Sequence, residues 1–261
     1  MKVRLVDGHC HLDHVVQTHP ERIRWMIEHG CAAVGWSFAH RIETEADLRR
    51  YWASQVEAVG AARRQGLVCV FLAGVHPRNI PGDLRPERVA GLLRPLLDHP
   101  LCRGIGEIGL ETASEREKEV LEAQLELAPE LAQRGHVLGV HTPRSDKPRV
   151  TREVLEVLGR YPAARPLALV DHCTPETAPW VLDAGYRAGM SLSPAKSSAA
   201  DVRAVLAERP GAASRIVLNT DSGTRFFEDL ARFAEAPAMD RETAERVTRR
   251  NALAFFRLEG A

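Results

Sequence analysis

Two histidines one residue apart, His9 and His11, close the first apolar run of the chain, in Val6-Asp7-Gly8-His9-Cys10-His11. In an extended backbone, residues two apart point to the same side, so both imidazoles can face one ion. Imidazole nitrogens suit zinc and related transition metals. Alone the pair is a weak signal, because histidines also occur in polar loops. Four side chains at the ends of later apolar runs strengthen it. Glu107 sits in Gly104-Ile105-Gly106-Glu107-Ile108-Gly109, where a carboxylate needs a cation or hydrogen-bond donors to offset its desolvation. His141, His172 and Asp221 each close a further run. Taken singly, His141 and His172 fit hydrogen-bonded structural histidines, and Asp221 fits a helix cap. Taken together, the six residues point to a metal centre.

Four histidines and two carboxylates are more than one tetrahedral zinc needs. Two divalent ions use them economically, with Glu107 giving one oxygen to each. His9 and His11 then hold the first ion, and His141 and His172 the second. Asp221 belongs beside the first ion, where it can ligate, orient the attacking water and receive its proton. The ligand types favour zinc, with manganese or magnesium as alternatives. The chemistry expected is hydrolysis by a metal-activated water.

Such a centre requires many strand ends at one mouth, and the hydrophobic pattern supplies them. Apolar runs at 5–9, 31–36, 68–75, 102–109, 137–141, 167–172, 187–193 and 216–221 read as strands. Most lack clean alternation, as expected of parallel strands covered on both faces. Helical patterns lie between them, at 20–29, 44–65, 85–98, 114–134, 151–158, 175–184, 198–208 and 225–236. A final pair, 241–250 and 253–258, is expected near a closing seam. Pro95 and Pro129 are expected to end, bend or break their helices. Eight strand–helix units predict a single α/β domain over residues 1–261, a (β/α)8 TIM barrel with its chemistry at the carboxyl ends of the strands. A doubly wound open sheet is the alternative, but the first strand is followed by the histidine pair rather than a glycine fingerprint.

Other candidates lie in the loops at that mouth. His76, in Gly74-Val75-His76-Pro77, fits a substrate contact or a structural loop bond equally well. Arg144, Arg78, Lys147 and Lys196 are placed either to neutralise an anionic substrate or as solvated surface charges. Arg144 is the strongest because it closely follows a ligand-bearing strand. Trp36 and Phe38 fit either a mouth lining or loop packing. The remaining histidines, at loops and helix ends, are expected to face solvent.

The 261 residues carry 35 basic and 35 acidic side chains, so no long-range field draws the chain to nucleic acid. There is no basic run or aromatic–basic interleaving, so sequence-specific nucleic-acid binding is not expected. No apolar stretch is long enough to span a bilayer, and no signal peptide is evident. Five cysteines without a CxxC pair read as reduced, partly buried thiols. These features predict a cytoplasmic protein without membrane association.

The chain resembles the TatD-like metal-dependent hydrolases of the amidohydrolase superfamily. The matching pieces are Val6-Asp7-Gly8-His9-Cys10-His11-Leu12-Asp13, Gly74-Val75-His76-Pro77, Gly106-Glu107-Ile108-Gly109-Leu110, His141, His172, Thr220-Asp221-Ser222 and Asn251-Ala252-Leu253-Ala254-Phe255-Phe256. The resemblance implies a barrel with one or two divalent ions, hydrolytic activity and, in some members, DNase activity. In the wider superfamily a carboxylated lysine often bridges two metals. The only lysines here are Lys2, Lys118, Lys147 and Lys196, none ending a central strand, which favours Glu107 as the bridge. Two departures weaken the transfer of DNase specificity. Thr142-Pro143-Arg144 follows His141 where serine and arginine are common, and Glu111-Thr112 replaces a frequent aspartate–tyrosine pair. The expected substrate is a phosphoester, either a small molecule or an oligonucleotide. Amide, lactone or other carboxyl-derivative hydrolysis, and a non-enzymatic metal-stabilised binding protein, are the alternatives.

Overall fold

All eight apolar runs form strands in the computed structural model, which describes residues 2–38, 40–236 and 238–258. The strands are β1 (Leu5–Cys10), β2 (Cys31–Gly35), β3 (Cys69–Phe71), β4 (Gly104–Gly109), β5 (Val137–His141), β6 (Ala168–Val170), β7 (Arg187–Ser191) and β8 (Ile216–Asn219). Every pairing between them is parallel. Nearly all their residues are buried, since helices cover the outer face and side chains fill the interior.

Regular pairing gives a three-stranded sheet, β1-β2-β3, and a five-stranded sheet from β4 to β8. Two seams join them. Between β3 and β4, the Arg103 amide donates to the Phe71 carbonyl at 2.9 Å, and the Ala73 amide to Gly104 at 3.2 Å. Between β8 and β1, the Asp221 amide donates to the His9 carbonyl at 2.9 Å, and the His11 amide to Ser222 at 2.6 Å. The buried Asp7 carboxylate reinforces this seam by accepting the Thr220 amide at 2.9 Å and its hydroxyl at 2.5 Å. Isolated hydrogen bonds rather than regular pairing therefore join the two sheets, and at the β8–β1 seam they come from the segments that carry His9, His11 and Asp221.

Two buried layers support the ring. Val6, Val34, Val70, Leu72, Leu169 and Val217 form one cluster with Trp36 and Phe256. Intervening strand residues such as Ala33, Phe71, Ile105 and Val140 belong to the larger cluster shared with the helices. Trp36 links this packing to the site, because its ring stacks on His9 with centroids 4.0 Å apart and planes 11° apart.

The helices differ from expectation mainly at their ends. Leu12–Thr18 was not anticipated, because the histidine motif obscured its buried face of Leu12 and Val15. The run at 114–134 divides into Glu115–Leu125 and Ala128–Arg134, with Pro129 in the first turn of the second helix. Pro95, by contrast, lies inside the helix Pro86–Leu97 and does not terminate it. The helix expected at 151–158 begins earlier, at Lys147, and those expected at 175 and 225 begin later, at Ala178 and Asp229. The final pair forms a near-continuous helical stretch, Arg241–Glu245, Arg246–Arg250 and Asn251–Phe255, packed on β1 and β8 as the seam position required. No helix among the described residues is long and apolar enough to cross a membrane.

Gly139 on β5 shows how tightly the floor of the site is packed. A Cβ there would lie 2.6 Å from the Trp36 ring. Gly139→Ala is expected to push the indole against His9 and cost about 1–3 kcal/mol by overpacking. Denaturant unfolding of the variant against the wild type measures this directly.

Candidate metal centre

The carboxyl ends of the strands and the loops that follow them gather His9, His11, Glu107, His141, His172 and Asp221 into one largely buried cluster. His9 is on β1 and His11 immediately follows it, at the start of the helix Leu12–Thr18. Glu107 lies within β4, and His141 is the last residue of β5. The strands expected to run to His172 and Asp221 stop earlier, at Val170 and Asn219. Both residues instead turn into the left-handed region, with φ of 61° and 55°. Non-glycine residues hold this conformation at a cost of about 1–3 kcal/mol, a form of strain that clusters at functional sites.

Glu107 is at the centre of the cluster and is 2% exposed. Its Oε2 faces Nε2 of His9 at 3.4 Å, of His11 at 3.8 Å and of His76 at 3.6 Å. Its Oε1 faces His141 Nδ1 at 2.6 Å and His172 Nε2 at 3.1 Å. Asp221 Oδ1 lies 3.0 Å from His11 Nε2 and 3.6 Å from His9 Nε2. Ligand atoms of His9, His11 and Asp221 lie within 4.8 Å of one another, as do those of His76, Glu107 and His141 and those of His9, Asp171 and His172.

Hydrogen bonds on the far side of each ring distinguish these groupings. His9 Nδ1 is 2.6 Å from Asp171 Oδ2, and His11 Nδ1 is 3.2 Å from the Trp36 carbonyl. Each acceptor draws the imidazole proton to Nδ1 and leaves the Nε2 lone pair directed inward, the arrangement common to metal-bound histidines. His9 Nε2 is buried and has no hydrogen-bond partner among the described residues. A divalent ion is the partner this atom suits, so the donor set fits one. His76 has the opposite arrangement. Its Nδ1 accepts the Arg78 amide at 3.0 Å, so the neutral ring carries its proton on Nε2, facing Glu107. His76 is thus fixed by a loop bond with its N–H turned toward Glu107, which weighs against the grouping that includes it. His141 is held between two carboxylates, with Nε2 2.8 Å from Glu111 Oε2.

The electrostatics show how strongly the cluster demands positive charge. Burial opposes a charge on His9, but Glu107 and Asp171 outweigh it and push its pKa up to about 10. Burial likewise opposes ionisation of Glu107, yet the surrounding histidines hold its carboxyl well below the usual range. Asp221 is also held low, because the Lys196 ammonium, His172 and His11 overcome its burial. His172, desolvated and close to Lys196, falls to about 4.

Asp171, Glu117 and Lys196 extend the site beyond the six residues expected. Asp171 orients His9 and is itself held by Asn219 Nδ2 at 2.9 Å. Gly189 leaves room for it, since a Cβ there would come within 2.2 Å of Asp171 Oδ1. The sequence signal was a carboxylate directly before His172 at the end of an apolar run. Buried Glu117 accepts the amides of Glu111, Thr112 and Ala113 at 2.8–2.9 Å, shaping the loop that carries Glu111. Lys196, expected only among mouth charges, reaches the floor and pairs with Asp221.

The site opens into a cavity of about 540 Å³. Arg78, Arg144 and Arg225 line it and are exposed, and Phe38 and Phe227 add apolar surface. Lys147 is tied to the protein instead, donating to the His172 carbonyl at 2.9 Å and to Thr142 Oγ1 at 3.0 Å. Phe38 contacts the edge of His11, whereas Trp36 is buried beneath His9. His14, His19, His29, His40, His99 and His136 belong to none of the three ligand groupings found among the described residues.

A parallel barrel with buried imidazoles and carboxylates at its strand ends is an architecture that metal-dependent hydrolases use. The chain belongs to the TatD family, since the family model described as TatD related DNase matches residues 6–257. It is 27% identical over 194 residues to an uncharacterized metal-dependent hydrolase of Methanocaldococcus jannaschii, covering 73% of each chain. Among solved structures, it resembles a TatD-like protein from Archaeoglobus fulgidus with a TM-score of 0.79 and 28% identity, over 97% of this chain and 99% of that one. The YJJV TatD homologue of Escherichia coli shares the fold, with a TM-score of 0.68 and 19% identity, over 98% and 99% of the two chains.

Replacing Asp171 tests whether the bond behind His9 matters to ion binding. Asp171→Asn is expected to weaken divalent-ion binding by about 10–100-fold, the usual effect of losing such a partner. Equilibrium dialysis with elemental analysis provides the readout, and unfolding measurements check that the barrel remains intact.

Proposed function

We propose that this protein hydrolyses phosphoester bonds, on a small molecule or an oligonucleotide, with Glu107 shared between two divalent ions. The observation that carries the substrate reading is the cationic lining of the cavity, with Arg78, Arg144 and Arg225 at the mouth and Lys196 at its floor. A phosphodiester carries a negative charge shared by its non-bridging oxygens and takes charge-assisted hydrogen bonds from arginine, whereas a neutral ester or lactone has less need of them. The volume suits a small ligand or a single nucleotide unit. Phe38 and Phe227 offer apolar surface for a base or an organic leaving group. Deoxyribonuclease activity is the family-based form of this proposal, without sequence-specific readout. Five free, buried cysteines support a cytoplasmic setting.

The roles follow from placement. His9 and His11 direct Nε2 inward beside Glu107 Oε2 and Asp221 Oδ1, while His141 and His172 face Glu107 Oε1. Divalent ions bound by these atoms would supply Lewis acidity, acidifying water and polarising the electrophilic centre. Zinc suits the nitrogen-rich set, and manganese or magnesium would also accept its carboxylates. Asp221 lines the cavity, where its carboxylate can take the proton of an attacking water and return one to the leaving oxygen. His76 Nε2 lies 3.6 Å from Glu107 Oε2, too far for a hydrogen bond but close enough for its N–H dipole to favour the carboxylate's charge. Arg144 follows the His141 strand into the mouth and is positioned to hold the anionic group.

The test compares metal-reconstituted enzyme on bis-p-nitrophenyl phosphate with panels of simple esters and lactones. The phosphodiester is expected to be turned over. Asp221→Asn should lower that rate by about 10²–10⁴-fold, and Glu107→Gln should lose bound metal. Turnover confined to carbonyl substrates contradicts the phosphoester assignment. If ions bind and no substrate reacts, a metal-stabilised binding protein is the better description.

A further inference from the structure

Lys196 brings a fixed positive charge into a centre already suited to divalent ions. The loop at residues 193–198 folds back onto the end of β7, with the Lys196 amide donating to Ser193 at 3.1 Å and the Ser197 amide to Ser191 at 3.0 Å. Ser197 Oγ donates to the Cys173 carbonyl at 3.0 Å. Ser198 then caps the helix Ala199–Glu208 through a reciprocal arrangement with Asp201. The loop is tethered on both sides of the lysine, whose side chain is only 10% exposed. Its ammonium pairs with Asp221 Oδ2 and lies 2.8 Å and 3.1 Å from Nδ1 and Nε2 of His172.

These contacts divide the centre unequally. Asp221 turns Oδ1 toward His9 and His11 and Oδ2 toward Lys196. The His9–His11 side can therefore take an ion while the lysine stays in place. The His172 side is different, because its imidazole lies beside a cation. An ammonium has three donors and no lone pair, so it cannot join a coordination shell and repels a nearby dication.

We propose that Lys196 competes with a divalent ion for the His172 side of the centre, so that one ion binds tightly near His9 and His11 and a second binds weakly, by displacing the ammonium. This inference rests on the reading of Glu107 as a carboxylate shared between two ions. It assigns Lys196 control of metal occupancy, in addition to its contribution to the cationic cavity.

The experiment titrates zinc into the full chain after chelator treatment, following stoichiometry and affinity by calorimetry and elemental analysis. The wild type is expected to show one tight equivalent and a second at least about ten-fold weaker. In Lys196→Met and Lys196→Gln, the second equivalent should tighten by about ten-fold or more, and by more than the first, as removal of the like charge nearest the His172 side requires. Circular dichroism and an unfolding midpoint for each variant establish that it is folded. Two equally tight equivalents in the wild type overturn the proposal, as does a second binding constant unchanged in both folded variants. If neither the wild type nor the variants bind any zinc, the shared-carboxylate reading fails as well.

Discussion

Glu107 is a carboxylate in the middle of a β-strand, 2% exposed, with an imidazole facing it from β1, from the loop after β3, from β5 and from the loop after β6. Moving a carboxylate out of water costs several kcal/mol unless positive charge or strong donors compensate. No arginine forms an ion pair with it among the described residues, so the histidines must compensate or bring an ion that does. Much of the surrounding structure follows from that requirement. Asp171 and the Trp36 carbonyl fix the rings of His9 and His11, and Ser191 Oγ lies 2.8 Å from His172 Nδ1. Gly189 and Gly139 lack side chains where Asp171 and Trp36 need the space.

The same residues help to complete the barrel. The seam between β8 and β1 uses the His9 carbonyl and the Asp221 amide, and Asp7 holds Thr220 one residue before Asp221. Closure of the fold and the geometry of the centre are therefore coupled. A change that loosens Asp7 or Thr220 moves a candidate ligand as well as a strand. Burial pushes the Asp7 carboxyl up to about 6 despite its bonds to Thr220, so part of this seam is itself a buried ionisable group.

The barrel was legible in the sequence because fully covered parallel strands leave short, continuous apolar runs, and all eight were found. Their ends were less legible. Runs at 167–172 and 216–221 looked like strand to the last residue, but His172 and Asp221 leave the ladder with positive φ. The spacing of His9 and His11, and the charges of Glu107, His141, His172 and Asp221 at run ends, pointed to one cluster, and the fold brings them together. Asp171 and Glu117 were missed because their roles depend on partners distant in sequence or on loop amides. Lys196 was seen only as a mouth charge. Its inward path depends on the tether from Ser197 to Cys173, which no local pattern reveals.

Anomalous scattering from crystals soaked in zinc tests the central claim most directly. The strongest peak is expected beside Glu107 Oε2, within about 2.0–2.2 Å of that oxygen and of Nε2 of His9 and His11. A strong peak elsewhere, with Glu107 outside the coordination shell, would contradict it.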